Sequence, residues 1–375
     1  MPVTRRDALL AAGTTALTTG LVGLAGEAAT AAVPPPDGYP LRLPGMPLRD
    51  PFVMTDAASG HHYLYVANNA ALSGTRGVGT MVYRSRNLRD WSLPQAVFSV
   101  SPDLWAAHGG WAPEVHRWKD RWYLFVTLHD PDTALPVPPA GKYGIPVQIP
   151  QFARGTITAV ADSPLGPFTA LDPSRPIAPT TFMTLDGTLF KDDRGKPWMV
   201  YAHEWIQKLD GTIEALPLKD DLTGAAGRPV HLFKGSDAGW ISEDMPTPSV
   251  HQLLPYVTDG PQLHRLPGGA LGMLWSTYGK TTNSSDGTVK GPYVQTWAIS
   301  PSGRLKGPWR QGRPLVTGGG HGMVFDPLPK KGKQQKPMLI VHKGGRTTHA
   351  RLYEIELRRD GFRLGRHRKD LDGAS

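Results

Sequence analysis

Apolar residues along this chain come in short blocks rather than helical stripes. The clearest blocks are His62-Tyr63-Leu64-Tyr65-Val66, Trp122-Tyr123-Leu124-Phe125-Val126, Trp198-Met199-Val200-Tyr201, Leu271-Gly272-Met273-Leu274-Trp275 and Met338-Leu339-Ile340-Val341. Four or five residues suit a strand, and no stretch sustains the i, i+3, i+4 spacing of an amphipathic helix. Each block follows an opening strand and a Gly/Asp turn. Each precedes a further strand, such as Thr80-Met81-Val82-Tyr83 or Gly155-Thr156-Ile157-Thr158-Ala159-Val160, and then a polar edge. The unit recurs roughly every 60–75 residues, longer than a minimal four-stranded blade, so loops are inserted. Five such units predict an all-β fold, a five-bladed β-propeller.

The opening strands carry the chemistry. They begin Arg49-Asp50-Pro51-Phe52-Val53, Trp111-Ala112-Pro113-Glu114-Val115, Leu185-Asp186-Gly187-Thr188-Leu189, Thr258-Asp259-Gly260-Pro261-Gln262 and Gly320-His321-Gly322-Met323-Val324. Aligning Asp50, Ala112, Asp186, Asp259 and His321 makes three of five equivalent positions aspartate. In a propeller the innermost strands line one channel, so these ends should meet at one mouth. A β-sandwich would give the acids no reason to recur in register. Glycoside hydrolysis needs one carboxyl that gives a proton and one that takes a proton or attacks carbon. A third carboxylate can hold the donor's pKa up by like-charge repulsion. The Pro-rich stretch 130–150 reads as a solvent loop.

Composition narrows the setting. The 375 residues include 43 glycines, 37 prolines, 11 tryptophans, 11 tyrosines, 10 phenylalanines and no cysteine, which suits many short strands joined by tight turns, stabilised by a core without disulfides. Thr4-Arg5-Arg6-Asp7-Ala8-Leu9, the weakly apolar run after it and Ala29-Thr30-Ala31 read as a twin-arginine signal peptide over residues 1–31, with 32–375 as the propeller. The expectation is a secreted protein, free of the membrane after cleavage and monomeric. The net charge of +9 is scattered. Its local clusters, Lys330-Lys331-Gly332-Lys333 and Arg366-His367-Arg368-Lys369, lack interleaved aromatics, which argues against nucleic acid as a partner. No Walker A loop, Rossmann fingerprint, G-x-S-x-G elbow or H-E-x-x-H motif is present.

As an ordered series, Arg49-Asp50-Pro51-Phe52, Trp111-Ala112-Pro113-Glu114-Val115, Leu185-Asp186-Gly187-Thr188-Leu189-Phe190, Asp259-Gly260-Pro261 and Gly319-Gly320-His321-Gly322 resemble family 43 glycoside hydrolases. The resemblance runs from about Arg49 to Ile355. It implies a five-bladed propeller that cleaves arabinosyl or xylosyl linkages with inversion. It also implies Asp50 as general base, Asp186 as the residue that tunes the acid's pKa, and Asp259 as general acid. Two departures stand out. The family acid is usually glutamate, and proline commonly follows the third-motif aspartate where this chain has Gly187. Glu204, in Tyr201-Ala202-His203-Glu204-Trp205, is the alternative acid or a binder of a sugar hydroxyl.

Phe52, Trp111, Trp205 and Trp275 are candidate sugar-stacking residues, Trp111 foremost, with packing between blades as the competing role. His321 is a candidate substrate contact. In the family such a histidine often contacts a central calcium, so a structural Ca2+ is the expected cofactor, against a neutral histidine bonded to backbone. The function expected is an exo-acting α-L-arabinofuranosidase on an oligo- or polysaccharide, with xylosyl or galactosyl linkages behind it. The alternatives are a carbohydrate-binding propeller that has lost catalysis and a propeller of the fructosidase kind.

Overall fold

The structure, a computed structural model, describes residues 38–137, 150–208, 210–242, 257–279, 291–344 and 347–373, all within one compact unit, Asp37–Ser375. The expected signal peptide lies outside the described residues. Among the described residues no helix is long and apolar enough to cross a membrane.

Twenty-one strands form five consecutive meanders. The first is β1 (Phe52–Asp56), β2 (His61–Ala67), β3 (Gly79–Ser85) and β4 (Gln95–Ser99). The second is β5 (His108–Trp118), β6 (Arg121–Ala134), β7 (Phe152–Ala161) and β8 (Thr169–Ala170). The third is β9 (Thr184–Lys191), β10 (Pro197–His203), β11 (Thr212–Pro217) and β12 (Val230–Lys234). The fourth is β13 (Asp259–Arg265), β14 (Leu271–Tyr278) and β15 (Tyr293–Ser300), edged by the two-residue strands β16 (Arg310–Gln311) and β17 (Val316–Thr317). The fifth is β18 (Gly319–Phe325), β19 (Met338–Gly344), β20 (Thr348–Arg358) and β21 (Gly361–His367). Every pairing within a meander is antiparallel. A parallel bridge, Val294 to Gly319, joins the fourth to the fifth. These are the blades of the propeller, and they fall where the apolar blocks placed them.

The blocks are apolar on both faces because the second strand of each blade is packed between the neighbouring blades. Leu64, Tyr65, Leu124, Phe125, Val200, Tyr201, Leu274, Trp275, Leu339 and Ile340 are all fully buried. Trp275, expected as a sugar platform, is one of these. It packs in the cluster of blades three and four with Phe233 at 5.4 Å, and its indole N–H donates to Gln311 Oε1. Truncating such a side chain costs about 3–5 kcal/mol, so packing and not sugar contact accounts for it. The stretch read as a loop from residue 130 begins differently. β6 continues to Ala134, pairing Asp130 with Ala153 and Ala134 with Phe152, while 138–149 lie outside the described residues.

The ring closes without a covalent link. Leu48 donates its N–H to the Thr348 carbonyl, the Thr348 hydroxyl donates to the Leu48 carbonyl, and the Val53 N–H meets Met323 Sδ. These bonds tie the first blade to the last across nearly the whole chain length.

Candidate active site

At or near the head of each blade's innermost strand stands an equivalent residue in the left-handed region. These are Asp50 (φ 49°), Ala112 (φ 45°), Asp186 (φ 57°), Gly260 (φ 51°) and His321 (φ 44°). The pairing register breaks at this point in blades two to five. A bulge with a left-handed residue turns a side chain out of the sheet's alternation. Non-glycine residues rarely adopt this conformation, and when they do it clusters at functional sites. The ring predicted from sequence is therefore real, with one correction of register. Its fourth member is Gly260, and Asp259 is the residue before it. The next position settles the alignment, because Pro51, Pro113, Gly187, Pro261 and Gly322 are equivalent. A methyl group on Gly260 would stand 2.8 Å from His321 Cδ2, so the imidazole fills the space a ring side chain would occupy there.

The bulges of blades three to five are pinned by the blade before them. Asp186 N–H donates to Thr127 Oγ1 and Gly187 N–H to Thr156 Oγ1. His321 N–H donates to Ser276 Oγ and Gly322 N–H to Gln295 Oε1. Gly260 N–H donates instead to Asp186 Oδ2, at 3.0 Å. This explains the departure at Gly187. Proline has no N–H to give Thr156, and a Cβ there would lie 2.7 Å from Met199 Sδ.

The carboxyls gather around His321. Its Nδ1 lies 3.4 Å from Asp50 Oδ1 and 3.7 Å from Asp186 Oδ2. Asp50, 17% exposed, is also held by His342, whose Nδ1 is 3.0 Å from Asp50 Oδ1 and 3.2 Å from the Asp50 amide nitrogen. The two contacts compete for one ring nitrogen. In one tautomer Nδ1 accepts from the Asp50 amide N–H, and in the other Nδ1–H donates to the Asp50 carboxylate. Asp259 Oδ2 accepts from the Tyr293 hydroxyl at 2.8 Å.

Environment drives these groups apart. Burial alone would raise Asp50, but His321, His342 and Arg49 together hold it well below the usual carboxylate range. Burial and the Asp50 charge push Asp186 well above that range, against the Gly260 hydrogen bond. Burial and Asp186 push Asp259 up to about 8, with His321 and Tyr293 opposing. One carboxyl is thus shifted toward its anion and two toward the protonated form, the kind of separation that acid–base hydrolysis uses.

Other predicted residues are placed around this centre. Glu204, at the end of β10, is ion-paired with Arg154, and the remaining oxygen Oε2 has no partner among the described residues. Arg154 in turn lies over the Trp111 ring at 4.8 Å, and Trp111 stacks on His129 at 5.6 Å. Trp111 is near the ring, as expected, but is already engaged by these two neighbours. Phe52 is buried against His116, and Trp205 packs beside Leu135, Met183 and Ile206. Glu114 pairs with His116. Calcium prefers six to eight oxygen ligands. Among the described residues no group of three His, Asp or Glu side chains is placed to hold a metal ion, and His321 Nδ1 faces carboxylates.

Two residues of the site, His342 and Tyr293, were not singled out from sequence. His342 had a signal. It follows the apolar block of its blade, as Thr127 and Ser276 follow theirs, and all three face the amide of the next bulge.

A comparison with family models decides the identity. The model described as glycosyl hydrolases family 43 matches residues 46–368. The chain belongs to family 43. A structure of the endo-arabinase from Bacteroides thetaiotaomicron VPI-5482 is 33% identical, with a TM-score of 0.69, over 87% of this chain and 100% of that one. An endo-1,4-beta-xylanase from the same organism (20% identical, TM-score 0.59, 86% and 95% covered) shares the fold. So does an exo-1,5-alpha-L-arabinanase from a bovine ruminal metagenomic library (16% identical, TM-score 0.54, 85% and 97% covered). A search of curated proteins gives no match. As a family 43 member the protein is a glycosidase.

Proposed function

We propose that this glycosidase hydrolyses α-L-arabinofuranosyl linkages of plant polysaccharide with inversion. Asp50 is the general base, Asp259 the general acid and Asp186 the neighbour that tunes the acid's pKa. One observation carries the assignment: His321 and His342 lie against Asp50, while Asp259 is bonded to the Tyr293 hydroxyl, buried, and near Asp186, so the two aspartates are driven in opposite directions. In the reaction, Asp259 passes its proton to the glycosidic oxygen as the bond to the anomeric carbon breaks. Asp50 takes a proton from a water that attacks the opposite face. Asp50 ends protonated and Asp259 ionised, and exchange with solvent resets both.

Glu204 is the weaker candidate for the acid because one of its oxygens is already engaged by Arg154. The substrate rests on the 33% identical endo-arabinase. That same relative favours a second reading of the cleavage mode, attack within the chain in place of the exo action expected from sequence. Linear arabinan separates them: exo action releases one product from the start, endo action a ladder.

The roles are tested by kinetics on substrates with good and poor leaving groups. Asp50→Asn should lose about 10²–10⁴-fold in kcat on both. Asp259→Asn should lose as much on arabinan but far less on a nitrophenyl glycoside, whose leaving group needs no proton. Glu204→Gln should show no such dependence. The reverse pattern would move the acid to Glu204.

A further inference from the structure

The base and the acid are each held by an aromatic ring, and those two rings lie on each other. His342, on β19, meets Asp50 at 3.0 Å. Tyr293, the first residue of β15, donates to Asp259 at 2.8 Å. The Tyr293 and His342 rings are 5.6 Å apart and 10° from parallel. Tyr278, directly opposite Tyr293 in the β14–β15 ladder, backs the stack at 5.1 Å. Gly320 makes room for it, since a Cβ there would come within 2.7 Å of the Tyr293 ring. We infer that the Tyr293–His342 stack is a spacer that fixes the distance and orientation between acid and base.

The need for a spacer arises from the chain's own departure at 259. Aspartate is one methylene shorter than glutamate and sits one residue before the ring position, so the bulge alone does not aim it. The stereochemical outcome of glycoside hydrolysis depends on the separation of the two carboxyls, and displacements of about 1 Å cost up to 10²-fold in rate. Tyr293 also fixes the proton. Burial and the Asp259 charge push its phenol well above its ordinary range, so it remains a donor. With Oδ2 accepting from Tyr293, the acidic proton belongs on Oδ1. Tyr293 and His342 are positioning residues, acting through Asp259 and Asp50.

The spacer rests on the roles proposed for Asp50 and Asp259, and the test separates the two. Tyr293→Phe keeps the stack and removes only the hydroxyl. The groups facing Asp259 are Asp50, Asp186, His321, Tyr278 and Tyr293, from five different strands or their leading residues. The Tyr293 bond lowers the Asp259 pKa, so its loss should move the alkaline limb of the kcat/KM profile to higher pH. We expect kcat on arabinan to fall about 10-fold, with KM within about 2-fold, the nitrophenyl glycoside nearly unaffected and the melting temperature unchanged. An unmoved alkaline limb, or an equal loss on both substrates, overturns the spacer. Asp259→Asn is measured alongside. If it shows the leaving-group dependence and Tyr293→Phe does not, only the spacer fails. If neither shows it, the acid assignment fails first.

Discussion

Asp50 and Asp259 carry the same functional group, and only their neighbours distinguish them. Two imidazoles and Arg49 pull Asp50 down; burial and Asp186 drive Asp259 up. These shifts set the sign of the pH dependence. Asp259 must be protonated to act, so kcat/KM should fall as pH rises through about 8. Asp50 is already ionised throughout the mildly acidic range, so it sets no limb there. A pH profile on a poor leaving group checks this, and an alkaline limb near pH 5 would contradict it. At this scale the sequence is partly legible. Asp50 and Asp186 stand at the ring position itself and repeat with it. Asp259 is reached through its neighbours but one residue out of register, because the glycine that fills the true position carries no chemistry to notice. Tyr293 leaves no signal, since its role depends on which ring of the next blade it stacks against.

The recurring element is the left-handed bulge at the head of each inner strand. The residue after the bulge is matched to the blade before it. Glycine stands at 187 and 322, where Thr156 and Gln295 supply an acceptor for its N–H; proline stands at 51, 113 and 261. Gly187→Pro removes a buried hydrogen bond and strands the Thr156 hydroxyl. It should destabilise the protein by about 1–3 kcal/mol, read from denaturant unfolding. Unchanged stability would show that the bond contributes nothing. The second strands are legible because burial between two blades demands a solid apolar block. The outer edges are not: β8, β16 and β17 are two residues each, too short for any periodicity. Trp275 shows the limit of reading aromatics by proximity in sequence. It ends the apolar block of its blade, and its indole faces the seam between blades, away from any sugar.

The unit Asp37–Ser375 is a circle of five modules closed by hydrogen bonds between the first and last blades, with the proposed base at the closure. Asp50 contacts His342 of the fifth blade, and Asp259 contacts Tyr293 of the fourth. Acid and base are therefore brought together by the circular arrangement and not by any local segment, which is why no single motif reveals the site while the ordered set does. If that arrangement makes Asp50 a base acting on water, and not a nucleophile, the first sugar released must carry the inverted anomeric configuration. Proton NMR of a fresh digest, followed before mutarotation, reads this directly. The account predicts the inverted anomer as the first signal to appear. Initial accumulation of the retained anomer would contradict it, because retention requires a carboxylate that attacks carbon.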